Sequence, residues 1–150
     1  MAKNKKAKIF GQPSGGKQAI IIESVQSQDE KIPSWRFNIW DDQFPKSCNK
    51  SESIASIMDF LISLERMKWK EIKAASGGKT KGTNSHYLEL KYLSKEAQNR
   101  ANAIHLDVDE VFSLRINGAH RIFGILEEGV FHIIWDDPEH EICKSNKKHT

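Results

Sequence analysis

The sequence predicts an α+β fold: an antiparallel sheet with a C-terminal three-stranded meander, packed by two or three helices. Three observations lead there. Ile54, Ile57, Met58, Leu61 and Leu64 recur at helical spacing behind a capping-box pair, Asn49 and Glu52. From Val111 onward the apolar period changes to two, the period of a strand. Asn117-Gly118 and Glu128-Gly129 then divide this stretch into three segments, as hairpin turns do.

Size and charge narrow the reading. The chain has 150 residues, of which 38% are hydrophobic, enough for one core of ordinary size. Its 23 Lys and Arg outnumber 20 Asp and Glu, for a net charge of +3. Four of the lysines lie in residues 1–8, and Lys144, Lys147 and Lys148 lie at the other end. Setting those seven aside leaves 16 basic against 20 acidic residues, so the body carries −4 and the pI of 8.8 belongs to the ends. The total charge therefore does not establish a basic surface spread over the body. No stretch approaches the roughly 18–20 apolar residues that cross a bilayer, and no apolar run follows the N-terminal lysines. The expectation is a cytoplasmic protein with no membrane partner. Cys48 and Cys143 are far apart and lack a CxxC spacing, so both are expected as reduced thiols.

Taken in order, residues 1–17 combine Lys, Gly, Pro and Ser with few sizeable apolar residues and are expected to form a flexible basic arm. Residues 18–143 make the single α+β domain, and 144–150 a basic tail. Gly11 to Gln18 approaches a phosphate loop, but Gln18 stands where a magnesium-holding Ser or Thr is required. The β-branched Ala19 to Ile22 reads as a strand where such a loop would open a helix. Trp35 to Trp40 alternates as a half-buried strand, followed by a helix over about residues 50–67 and a short second one over Trp69 to Ala75. Ser76 to Gly82 is a polar, cationic loop, in which Gly77, Gly78 and Lys79 read as a solvated linker or a lid. His86 to Lys91 looks extended, and Ser94 caps a helix running through Ala97, Ala101 and Ile104. The meander strands are Val111 to Asn117, His120 to Leu126 and Val130 to Trp135.

The chemistry concentrates in this last third. With even hairpin loops, Phe112, Leu114, Arg121, Phe123, Ile125, His132 and Ile134 share one face, and Arg115, Ile122, Phe131, Ile133 and Trp135 the other. A three-residue loop over Asn117 to Ala119 would flip the first strand and set Arg115 beside Arg121. Two guanidinium forks on one sheet suit phosphate oxygens and a charged phosphorane. The structural alternative pairs Arg121 with Asp136 and Arg115 with an acid such as Glu110. His132, Asp136, Asp137, His140 and Cys143 form a dense run of imidazole and carboxylate, but its spacing fits no standard metal motif. No metal or cofactor is expected. Asp136 and Asp137 read as turn-binding residues before Pro138, and His132 as a packed core histidine. His140 lies beyond the turn, where an imidazole is placed for acid-base work. Trp135 is the tryptophan expected to be exposed for base stacking, the other three being core.

Leu114 to Ile125, Val130 to Trp135 and the following Asp137-Pro-Glu-His140 resemble the ending of the RelE/ParE superfamily of bacterial toxins, an arginine-isoleucine hairpin and an apolar strand leading to a His-containing turn. The match covers mainly residues 110–143 at the level of pattern. Leu93 to Arg100, Arg121 to Ile125 and Trp135 to Glu141 also resemble phrases found in uncharacterised bacterial and mobile-element proteins. The first resemblance implies a RelE-like fold and a metal-independent endoribonuclease toxin of a toxin–antitoxin type system. In its terms, Arg121 holds the scissile phosphate, Arg115 supports it and His140 is the acid or base. Lys144 becomes a further RNA contact, beside Trp135 and Lys79. The implied partners are RNA and a protein antitoxin. The competing expectation is a non-catalytic protein-interaction module on the same fold, such as an immunity, antitoxin or phage accessory protein, whose acidic body meets a basic partner.

Overall fold

A computed structural model describes residues 27–75 and 85–143. The expected arm, the Gly11 to Gln18 motif, the Ala19 to Ile22 strand, the cationic loop Ser76 to Gly82 with Lys79, and the tail with Lys144 lie outside the described residues.

The elements run β1 (Ser34–Arg36), α1 (Lys50–Leu64), α2 (Trp69–Ala74), β2 (His86–Glu89), α3 (Lys95–Ala103), β3 (Glu110–Arg115), β4 (Arg121–Glu127) and β5 (Val130–Asp137). The fold is α+β with one five-stranded sheet in the order β1-β5-β4-β3-β2. The expected meander is β3-β4-β5, and β2 adds to it antiparallel. The sheet as a whole is mixed rather than antiparallel, because β1 joins β5 in parallel. β1 is also shorter than the alternating run Trp35 to Trp40 implied. A turn intervenes in which Trp40 N–H donates to the Phe37 carbonyl at 3.1 Å, and Asp41 N–H then reaches the Ile134 carbonyl at 2.8 Å.

The helices start where short polar side chains accept orphan backbone donors. Asn49 Oδ1 accepts from Ser51 and Glu52 N–H, and Ser94 Oγ accepts from Ala97 N–H at 3.1 Å. α1 ends at Leu64, three residues before the expected limit, and Met67 N–H closes the turn onto the Leu64 carbonyl.

α1 and α2 cover one face of the sheet and α3 the other. The first core joins Ile57, Leu61, Leu64, Trp69 and Ile72 to Phe112, Leu114, Ile122, Phe131 and Ile133. Edge-to-face contacts run through it, with Trp69 centred 5.8 Å from Phe112 and 5.9 Å from Trp35. The second joins Leu93, Ala97 and Ala101 to Val111, Phe123, Ile134, Trp135 and Ile142.

Two register features decide which side chains share a face. Ile116 N–H bonds the His120 carbonyl at 3.0 Å, leaving the three-residue loop Asn117 to Ala119, and Arg115 consequently stands opposite Arg121. In β4–β5, Phe123 pairs with Trp135 but Gly124 with Ile133, so Ile134 is the extra residue of a bulge. The bulge turns Trp135 to the α3 side, away from Ile133 and Phe131, where strict alternation had placed it. Gly124 is required there: a Cβ would meet the His132 carbonyl oxygen and come within 2.9 Å of Phe131 Cζ. At the next turn Glu128 and Gly129 both take positive φ, +52° and +87°, the backbone of a tight hairpin.

Candidate functional site

Arg115 and Arg121 lie at one end of the sheet, opposite each other on β3 and β4, and Asp137 of β5 completes the row as the partner of Arg121. Two like charges in a cross-strand pair repel. The hairpin's own carbonyls offset this. Arg121 Nη1 donates to Asn117 O at 2.8 Å, Gly118 O at 3.0 Å and His120 O at 3.2 Å, while Arg115 Nε donates to Asn117 O at 3.3 Å. Burial and the charge of Arg115 push the Arg121 pKa down, yet a guanidinium remains charged across the working pH range.

Asp137 is fully buried. Its two oxygens accept from Glu141 N–H at 2.9 Å and Ile142 N–H at 2.8 Å, which folds Pro138 to Ile142 back against the sheet. Burial pushes the Asp137 carboxyl up, and the two backbone donors and His140 oppose that push. Within the turn His140 takes φ +60°, a left-handed conformation that non-glycine residues adopt only where surroundings impose it. Burial and then Arg121 hold the His140 imidazole below its usual value, against the pull of Asp137. Cys143, raised by burial and by Asp137, completes the group.

Arg115, Arg121, Asp137, His140 and Cys143 thus occupy one electrostatic neighbourhood. Its chemistry is that of two neighbouring cations, one of which, Arg121, acts on an imidazole held below its usual pKa and so neutral near pH 7. A neutral imidazole accepts a proton, and guanidinium groups offset negative charge that develops on phosphate oxygens.

Several expectations are corrected. Arg121 is not paired with Asp136: consecutive strand residues point to opposite faces, and Asp136 stands opposite Ile122 on the α1 side. Only Asp137 binds the turning backbone. Asp136, 1% exposed, instead meets His120 Nε2 in a short buried contact, while its Oδ2 has no hydrogen-bond partner among the described residues. Arg115 does not meet Glu110, which sits at the far end of β3 opposite Glu89. Trp135 has no exposed face for stacking. It is fully buried, donates from Nε1 to Asp41 Oδ2 at 2.9 Å and packs edge-on to Phe44. His132 is half-buried opposite Ile125. Among the described residues no three His, Cys, Asp or Glu side chains are grouped to hold a metal ion.

Sequence reasoning did not anticipate two pairs, the buried His120–Asp136 and the part-buried Arg100–Asp41. The signal for the first was Asp136-Asp137 itself, since adjacent acids on a strand cannot serve the same face. No protein-family model, curated protein or solved structure matches this chain. Among the described residues no helix is long and apolar enough to cross a membrane.

Proposed function

We propose that this chain is a metal-independent endoribonuclease toxin of the RelE-like kind, acting on RNA in the cytoplasm and held in check by a protein antitoxin. The observation that supports this reading is the placement of Arg115 and Arg121 side by side on one face, with His140 in the field of Arg121. In this reading neutral His140 takes the 2′-hydroxyl proton. The 2′ oxygen then attacks the adjacent phosphorus, and the P–O bond to the 5′ oxygen of the next nucleotide breaks. That 5′ oxygen leaves with a proton from water, and the two guanidinium groups offset the charge on the phosphorane. Asp137 is a positioning residue, because it holds the turn that carries His140. The test is cleavage of end-labelled RNA in EDTA by the parent chain and by folded Arg121→Ala and His140→Ala variants. Loss of cleavage in both variants supports the reading, and a parent inactive on both free and ribosome-bound RNA refutes it.

A second reading is favoured by a specific observation: Arg121 Nη1 is already committed to three carbonyls of its own hairpin. In that case the arginine staples the loop, and the chain is a non-catalytic interaction module whose acidic body meets a basic protein. Arg121→Ala then lowers the melting temperature and changes no cleavage.

A further inference from the structure

α1 is apolar on two sides. Ile57, Leu61 and Leu64 are buried against the sheet, whereas Ile54, Met58 and Ile62 point outward at 39%, 40% and 56% exposure. An amphipathic surface helix ordinarily carries one apolar stripe facing its own core. The outward residues are four apart, and with Ala55 the positions 55, 58 and 62 follow the three-and-four spacing of a helix–helix seam. Beside this stripe Phe37 and Trp40, with ring centroids 5.7 Å apart, combine with Ile54 and Met58 to line a groove of about 380 Å³. The Lys50–Asp42 ion pair, at 3.3 Å, stands at its rim. The stripe therefore has a projecting end, Ile62, and a hollow end around Ile54, about 12 Å apart along the helix axis.

The two ends are complementary to each other. If two α1 helices pack antiparallel and cross at Met58, Ile62 of each copy meets the hollow at Ile54 of the other. The same arrangement brings Glu65, which caps the C-terminal end, opposite Lys50 at the start of the second helix. The apolar fit and the charge order thus select one antiparallel alignment, and a twofold axis uses the same patch twice. We propose that two copies of this chain associate through the outward face of α1, antiparallel, with the twofold axis beside Met58.

Sedimentation equilibrium of the full chain tests this, comparing the parent with Met58→Glu, Lys50→Glu, Glu65→Lys and the double charge reversal. Each variant is checked by circular dichroism, and all three positions are exposed. The parent is expected to dimerise in the micromolar range, and Met58→Glu, which appears twice at the axis, to weaken dimerisation by about 100-fold or more. Each charge reversal is expected to weaken dimerisation several-fold and the double reversal to restore it. Within one chain these two residues lie about 22 Å apart along the helix, so restoration requires two copies. A parent that stays monomeric up to about 0.5 mM overturns the proposal. So does a dimer that Met58→Glu leaves intact, or a double reversal without recovery. A monomer that binds only a different protein through α1 also refutes it.

Discussion

Removing the arginine from the Arg100–Asp41 pair should be among the most damaging single changes to this fold. Asp41 is 8% exposed, yet it is charged, and its contacts with Arg100 and Trp135 tie separate elements together. Arg100 of α3 donates to both carboxylate oxygens at 2.7 Å, Trp135 of β5 donates at 2.9 Å, and Gln43 N–H at 3.2 Å. Burial alone would raise the Asp41 pKa, but the Arg100 and Trp135 hydrogen bonds outweigh it and the net shift is downward. Arg100→Met keeps the aliphatic stem and leaves a buried carboxylate with neutral donors only. Breaking a fully buried pair costs about 3–5 kcal/mol. The Arg100 side chain is 32% exposed, which lets water reach the site and reduces the expected cost to about 2–3 kcal/mol. Asp41→Asn should cost a similar amount, and the double variant clearly less than the sum, with a coupling above about 1 kcal/mol. Because the folded pKa lies below the unfolded value, the stabilisation is full above about pH 5 and is lost as pH falls through the folded pKa. Urea denaturation of the parent, the two single variants and the double, at pH 7 and again near pH 3, measures all of this. An Arg100→Met variant within 0.5 kcal/mol of the parent, the range of ordinary surface changes, refutes the reasoning.

Other outcomes follow from the same geometry. Gly124→Ala must push a Cβ into the His132 carbonyl and the Phe131 ring, so chemical denaturation should show a loss of about 2–3 kcal/mol. Asp137→Ala removes both acceptors of the His140 turn; it should cost about 2–4 kcal/mol and abolish RNA cleavage, with amide exchange speeding up at Glu141 and Ile142. The depressed pKa of His140 keeps its imidazole neutral below the usual range, so the acid limb of the cleavage profile should fall below about pH 6.5 and disappear in His140→Ala. For stability the sign is the same: protonation is disfavoured in the folded state, so His140 begins to cost stability as pH drops through the unfolded value.

The helices and the meander were legible because short-range rules set them: Asn49 and Ser94 cap, Ile57 and Leu61 repeat, and Asn117-Gly118 and Glu128-Gly129 turn. The addition of β1 parallel to β5 was not legible. It depends on contacts between Ser34 and Gly129 and between Trp35 and Trp69, nearly a hundred and more than thirty residues apart, which no local period encodes. The bulge at Ile134 was equally hidden; it turns Trp135 from the α1 side to the α3 side, where the residue that was expected to be exposed for stacking is buried. The site was half legible. Arg115, Arg121 and His140 stood out by chemical type, and the three-residue hairpin loop that joins the arginines was one of two registers the pattern allowed. That Asp137 rather than Asp136 serves this face follows from pairing through the bulge, and the two-pronged grip of Arg100 on Asp41 spans 59 residues.

The most direct test of the account is the pH dependence of RNA cleavage in EDTA by the parent, Arg121→Ala and His140→Ala chains, with folding verified for each. The account predicts cleavage by the parent, an acid limb that belongs to His140, and loss of activity in both variants by a factor of about 10² or more. Cleavage that survives unchanged in a folded Arg121→Ala variant would contradict it.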